Sequence, residues 1–400
     1  MNQNIEKYDL IIIGASIAGN YLTYLLSKSN LRIAVLEDHK EIGLPFQCAG
    51  IVSQKLSQLI ELPKEIVLNR VTTAKIVNPS SKFINLSGDE HPYIIDRIAL
   101  DRLFYNKIKD DPNITYYLGE RYKSFEYRID DGKKYILIET SKRNIKAKML
   151  IGCDGPLSSV GKQLNVKNNV LYASQIRIKA IFNEHEAAMY FNPQWKHLFG
   201  WIVPEGNRVF RIGIAAAKNV NKCFRSFLNE LSVDIKDKID QQGGIIPYGV
   251  MNKLAFDNIL LLGDAAGQVK ATTGGGIIMS LTAAKFASNC VNLCFKIGNF
   301  SKKFIKKNYE KACSQTIGRE LKLHFIIRLI LENFRNKDFE IFFKIIKENK
   351  IEHIITFYGD MDFPKALFIK LLRNRTVLGF MFKFLIKNPV IIFKILKLLI

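Results

Sequence analysis

Tyr8-Asp9-Leu10-Ile11-Ile12-Ile13-Gly14-Ala15-Ser16-Ile17-Ala18-Gly19, with the stretch that runs on to Leu31-Arg32-Ile33-Ala34-Val35-Leu36-Glu37, decides the fold. YDLIII reads as a strand buried on both faces, the pattern of a parallel sheet. Gly14–Gly19 reads as a turn, Ile17–Ser27 as a helix, and LRIAVL as the next strand, closed by Glu37. The whole is one βαβ unit of about thirty residues. Gly14-Ala15-Ser16-Ile17-Ala18-Gly19 stands where a dinucleotide fingerprint G-x-G-x-x-G belongs, with Ser16 in place of the second glycine. That position normally lets the backbone approach a pyrophosphate. A serine is small, and the helix N-terminus behind it still offers free N–H groups and a positive dipole end. Glu37 is placed to accept hydrogen bonds from adenosine ribose hydroxyls, which suits FAD or NAD and disfavours NADP.

Two later motifs choose between FAD and NAD. Leu150-Ile151-Gly152-Cys153-Asp154-Gly155 follows one strand, and Leu261-Leu262-Gly263-Asp264-Ala265-Ala266-Gly267 follows another. They resemble the Asp-Gly and Gly-Asp motifs of the para-hydroxybenzoate hydroxylase-like flavoproteins. The resemblance implies FAD, with Asp264 on the ribityl or ribose hydroxyls and Asp154-Gly155 supporting the pyrophosphate region. Beyond them, Thr272-Thr273-Gly274-Gly275-Gly276-Ile277 opens a helix. Consecutive glycines there expose N–H donors, Gly275, Gly276 and Ile277 among them, suited to the negative charge a reduced flavin gathers.

Three segments narrow the resemblance to the geranylgeranyl reductases. Pro45-Phe46-Gln47-Cys48-Ala49-Gly50 looks like their loop in which a cysteine faces the flavin. Asp101-Arg102-Leu103-Phe104 looks like their D-R-x-x-F segment, whose arginine reaches the FAD phosphates. Ala265–Ile277 is similar to their GDAAG-x-V-x-P-x-T-G-G-G-I stretch, with Ala271 replacing proline. The resemblance covers about residues 8–290. It implies reduction of trisubstituted double bonds in geranylgeranyl diphosphate or in lipid-linked chains, with Cys48 catalytic or modulating the flavin and Ala49 beside it. In the family's substrate motif P-x-x-Y-x-W-x-F-P, this chain keeps Trp201 and Pro204 and has Phe199 and Val203 in place of tyrosine and phenylalanine. Those residues also resemble, more loosely, the W-x-W-x-I-P motif of flavin halogenases. A flavin-dependent monooxygenase or halogenase on the same fold is therefore the alternative. With one dinucleotide fingerprint, taken by FAD, the electron donor stays unidentified.

The 400 residues carry a formal net charge of +22, which points to an anionic partner. No nucleic-acid motif accompanies it, so no nucleic acid is expected. Residues 301–400 hold 21 basic against 9 acidic residues, and residues 365–400 hold eight basic residues and no acid. Within Val377–Ile400, lysines 383, 387, 394 and 397 fall on one face at helical spacing, among Phe, Leu, Ile, Val and Met, with Pro389 breaking or kinking the helix after Lys387 or Asn388. This is the composition of a helix lying in an anionic membrane surface. The six cysteines make no CxxC pair and match no zinc spacing, so no metal and no disulfide framework is expected. No secretory signal and no transmembrane helix is read. A cytoplasmic protein, peripheral at the inner membrane face and acting on an isoprenoid lipid, is the expectation.

The expected fold is α/β. Residues 1–165 form a Rossmann-type FAD-binding domain with inserted strands at about 66–95, and 166–250 an antiparallel substrate domain. Residues 251–298 return to the FAD-binding domain, and 299–400 form a basic helical region.

Overall fold

The computed structural model describes residues 5–130, 132–251 and 253–399. Its larger sheet has eight strands. The strand Glu6–Ile13 lies between Asn144–Gly152 and Ile33–Glu37, parallel to both. Ile114–Leu118 continues the parallel set on one side and Ile259–Leu261 on the other. Leu10, Ile11 and Ile12 are fully buried, as a strand covered on both faces must be. The helix Ile17–Leu26 and the long helix Ile277–Ile297 pack together against this sheet. Gly19 makes the helix-to-strand approach, since a Cβ there would sit 2.0 Å from the Gly14 carbonyl oxygen. Strand order reverses on either side of Glu6–Ile13, so a crevice opens at its carboxyl end, beside Gly14.

The second sheet has seven strands: Lys238–Tyr248, Asn169–Lys179, Val209–Ala216, Gly200–Gly206, Glu186–Tyr190, Thr73–Val77 and Phe83–Ser87. Here the structure departs from the expectation for residues 66–95. Thr73–Val77 and Phe83–Ser87 lie on the edge of the substrate sheet, with Thr73–Val77 parallel to Glu186–Tyr190. Only Val67–Arg70 and Tyr93–Ile95 remain apart, in a three-stranded sheet with Ile51–Val52. Strand pairing over a hundred residues of chain leaves no local trace, which is why period and turns did not reveal it.

From Lys302 onward the chain is helical. Ile317–Leu331 packs inward, whereas Arg375–Lys387 and Pro389–Leu399 meet at a bend of 103°. The break falls at Asn388, where Pro389 withholds the N–H a continuous helix needs. The four lysines are thus divided between two helices rather than aligned on one. Among the described residues one helix, Ile277–Ile297, is by itself long and apolar enough to cross a membrane, and its apolar window is 61% buried inside the fold.

Candidate active site

One cavity of about 1020 Å³ runs from the carboxyl end of the parallel sheet to the substrate sheet and the C-terminal helices. Its first wall is the dinucleotide turn, with Gly14, Ala15, Ser16, Ile17 and Ala18 exposed to the cavity and Gly19 beneath. Glu37 lines the cavity at the end of its strand. One carboxylate oxygen accepts from the Ala15 N–H at 2.8 Å and the other meets His39 Nδ1 at 2.6 Å. The carboxylate is thereby fixed at the cavity wall beside the dinucleotide turn.

Asp154 and Gly155 also line the cavity, but the Asp154 carboxylate is committed to the chain. It accepts from Ser158 Oγ at 2.6 Å and from the N–H groups of Ser159 and Val160 at 2.6 and 3.1 Å. Its role is to hold the start of the short helix Ser159–Gln163 against the cavity. Asp264 is the contrary case. Among the described residues no hydrogen bond reaches its carboxylate, which faces the cavity beside Gly276. Burial pushes this carboxyl up to about 6, and the Arg97 charge only partly opposes the rise. A Cβ at Gly276 would stand 3.1 Å from Asp264 Oδ1. An acceptor left without donors, in a crevice wide enough for a sugar chain, fits the ribityl or ribose hydroxyls of FAD. Gly275, Gly276 and Ile277 line the adjoining wall at the head of Ile277–Ile297, as a helix N-terminus for an anion should.

The arginine in the cavity is not the one expected. Arg102 donates Nε to the Ile42 carbonyl at 3.0 Å and pairs with exposed Glu41 at 3.3 Å, away from the cavity lining. Arg97 lines the cavity instead, ion-paired with buried Asp101 and donating to Ser16 Oγ at 3.0 Å. The two arginines are five residues apart on one helix, about 140° round its axis, so only one can face the dinucleotide turn. Asp96-Arg97 repeats the Asp-Arg pair of Asp101-Arg102, the signal that could have found it. The Ser16 hydroxyl accepts from Arg97 and donates to Asp101 Oδ1 at 3.3 Å, so it is held within the chain.

Cys48 and Ala49 line the cavity, and Gly50 N–H donates to Cys48 Sγ at 3.2 Å. The loop is pinned from the other sheet. Fully buried Arg211 donates to the carbonyls of Ala49 and Ile95 and pairs with Glu205 at 2.8 Å. Gln175 donates to the Cys48 carbonyl at 3.2 Å and accepts from Trp201 Nε1 at 2.7 Å. A polar relay therefore fixes the cysteine loop to the substrate wall.

That wall is apolar. Phe199, Trp201 and Val203 line the cavity and cluster with Val71, Leu171 and Leu198. Pro204, expected with them, does not line it. Residues alternate across a strand, so Pro204 points to the opposite face, with Phe210 as its pairing partner. Ile355, Thr356 and Leu367 close the far side, from the C-terminal helical region.

A second set of residues has no local signature. Arg328 is fully buried with no carboxylate in hydrogen-bonding reach among the described residues, and its guanidinium donates to the carbonyls of Ala271, Thr272 and Leu198 at 2.9, 2.6 and 3.3 Å. Burial pushes it down to about 10. His324 meets Thr272 Oγ1 at 2.5 Å. One helix of the C-terminal region thereby ties the glycine-rich loop to the segment that leads through Phe199 into the strand carrying Trp201.

No protein-family model matches the chain. It is 26% identical over 381 residues to digeranylgeranylglycerophospholipid reductase 1 of Methanococcoides burtonii, covering 90% of each protein. Among solved structures, a geranylgeranyl bacteriochlorophyll reductase-like protein of Thermoplasma acidophilum superposes with a TM-score of 0.80 at 18% identity, over 95% of this chain and 100% of that one. The halogenase PltM, solved in complex with FAD, superposes with a TM-score of 0.63 at 14% identity, over 92% of this chain and 86% of that one. The resemblance carried by the three motifs thus extends over about nine-tenths of the chain, which is similar to the digeranylgeranylglycerophospholipid reductases and has the fold of the FAD-dependent oxidoreductases.

Proposed function

We propose that this protein is an FAD-dependent reductase of isoprenoid carbon–carbon double bonds, acting on geranylgeranyl chains in membrane lipid biosynthesis. The observation that carries the reading is the single cavity that begins at a dinucleotide turn and ends in an aromatic and aliphatic pocket. Bound there, FAD supplies the hydride chemistry. The chain's own residues do the rest. Glu37, Arg97 and Asp264 hold the cofactor's sugar and phosphate groups. The head of Ile277–Ile297 presents N–H groups to negative charge. Phe199, Trp201 and Val203 exclude water from an apolar chain, and the relay from Trp201 through Gln175 holds the Cys48 loop against it. Mass spectrometry of lipids from cells with and without the protein tests this. Loss of saturated isoprenoid chains without the protein supports it, and an unchanged lipid profile overturns it. Rapid oxygen-dependent turnover of NADH would favour a monooxygenase or halogenase instead.

The same reading places the enzyme at the cytoplasmic face of an anionic membrane, where such a chain already lies. Its support is the exposure of Leu378, Phe382, Ile386, Val390 and Phe393 beside Lys383, Lys387 and Lys394, in a segment with no acid. Each Lys near an anionic surface contributes about 1 kcal/mol. The protein should sediment with anionic liposomes, less so as salt rises, and a protein that ignores such vesicles at low salt removes this part of the reading.

A further inference from the structure

Against the glycine-rich loop lies a group of five charged side chains that the cofactor site does not use. Lys270, whose N–H donates to the Gly275 carbonyl at 3.1 Å, extends its ammonium to Asp362 Oδ1 at 2.6 Å. The other Asp362 oxygen accepts from Ser53 Oγ at 2.5 Å. Lys55 Nζ stands 2.9 Å from Asp360 Oδ1 and 3.9 Å from Glu90 Oε1. Asp360 Oδ1 accepts also from the N–H groups of Asp362 and Phe363, at 2.8 and 3.0 Å.

Two cations thus face three acids, and the pairing is unequal. Each aspartate has its own lysine and further donors. Glu90 has the distant end of a lysine already engaged elsewhere and the Gln54 backbone N–H, and among the described residues its buried Oε1 has no hydrogen-bond partner. An excess negative charge in a partly buried cluster is relieved by a proton, which settles on the acid with the fewest donors. Burial raises the Glu90 carboxyl above the ordinary carboxylate range, against the pull of Lys55 and with the repulsion of Asp360 and Asp362. Glu90 and Asp360 both line the cavity that holds Cys48, Trp201 and Gly275.

We propose that Glu90 is the proton donor for alkene reduction in this cavity. The proposal rests on the reductase reading. One alkene carbon receives the hydride that reduced FAD supplies, and the flavin is oxidised. The neighbouring carbon receives the Glu90 proton as its O–H bond breaks, leaving the carboxylate to regain a proton from solvent. An isolated alkene accepts hydride poorly, so a positioned acid is the part the apolar wall lacks.

The test uses holoenzyme reduced with dithionite and mixed anaerobically with a digeranylgeranyl glycerophospholipid in detergent, following flavin reoxidation by absorbance. Glu90→Gln should retain FAD, slow reoxidation by about 10²- to 10⁴-fold, and lose the fall in rate that wild type shows as pH rises. A second readout needs no substrate. Infrared titration of wild type against Glu90→Gln should show a protonated carboxyl that persists above the ordinary glutamate value of about 4.3. Reoxidation of Glu90→Gln at the wild-type rate with the wild-type pH profile overturns the proposal alone, as does a Glu90 that ionises at or below the ordinary value. A wild-type flavin that this lipid never reoxidises overturns the reductase reading, and the proposal with it.

Discussion

Residues 10–36 and 377–398 are written in much the same alphabet of Ile, Leu, Val and aromatic side chains, and the fold treats them in opposite ways. Leu10, Ile11, Ile12, Leu22, Leu26 and Val35 are wholly withdrawn from solvent. Phe382, Ile386, Val390 and Phe393 are 65, 59, 65 and 70% exposed. The difference lies in how many neighbours each geometry can reach. A central strand has a strand on each side and helices above and below, so every side chain finds cover. The terminal helices have one covered face. Val377 and Phe384 occupy it on the first helix and Ile391 on the second, and the apolar side chains that face away, Leu378, Phe382, Ile386, Val390 and Phe393, have nowhere inside to go. Apolar composition therefore identifies a core only where the surrounding topology supplies partners. Where it does not, the surplus stays on the surface, the apolar ridge on which the membrane proposal rests.

Substitutions at matched positions test this contrast most severely. Ile12→Ala should cost about 2–5 kcal/mol of unfolding free energy, the usual range for emptying a close-packed site. Phe382→Ala should cost less than about 0.5 kcal/mol. Chemical denaturation measures both, and similar losses would abolish the distinction. Arg328→Met probes the part of the C-terminal region that behaves like the core. It strands the Ala271, Thr272 and Leu198 carbonyls, each orphaned acceptor costing about 1–3 kcal/mol. Thermal unfolding should move to lower temperature and FAD should be lost on dialysis. A variant that keeps both would reduce Arg328 to filler.

The third expectation concerns pH. Asp264 titrates near 6 in the protein alone, and hydroxyl donors from a bound cofactor favour its charged form. FAD binding therefore lowers this pKa and releases a proton, so affinity is fully present above about 6 and weakens as pH falls through it, by up to about tenfold per unit. Flavin fluorescence titrations between pH 5 and 7 measure the slope, and Asp264→Asn should flatten it. The smallest effect on the fold is expected for Phe382→Ser with Phe393→Ser. Unfolding should stay within about 1 kcal/mol of wild type, while partition onto anionic vesicles falls at least about tenfold for two lost apolar contacts. Unchanged vesicle binding would remove the exposed ridge from the membrane proposal.

The legible parts of the sequence were those whose cause is local. The unit from Tyr8 to Glu37 and the motifs at Asp154 and Asp264 announce themselves within a few residues of a strand end, and the structure brings them to one cavity. Pro389 likewise marked its own break. Errors arose where two readings differ only by rotation or by pairing. Arg97 and Arg102 share a helix and a motif, and only the helical phase separates them. Pro204 is one residue from Val203 and on the other side of the strand. The partners of Arg328, His324 and Asp362 lie more than fifty residues away in most cases: Arg328 holds backbone carbonyls that any residue type carries, and His324 and Asp362 meet the side chains of Thr272 and Lys270. A lone buried arginine or histidine in an apolar helix gives no sequence signal of what it will hold.

The edge pairing of Thr73–Val77 with Glu186–Tyr190 has a consequence for traffic. A strand contributed by the cofactor half of the chain is sewn by a backbone ladder into the substrate half. The halves cannot part like the covers of a book without unpicking that seam. The hydrocarbon of the proposed substrate would nevertheless have to come and go. The remaining boundary runs past Ile355, Thr356 and Leu367, where side-chain packing and the ion pairs of Asp360 and Asp362, rather than a strand ladder, close the cavity. A route that spares the seam would lie on the helical side, the same region of the chain whose last helices leave their greasy faces uncovered.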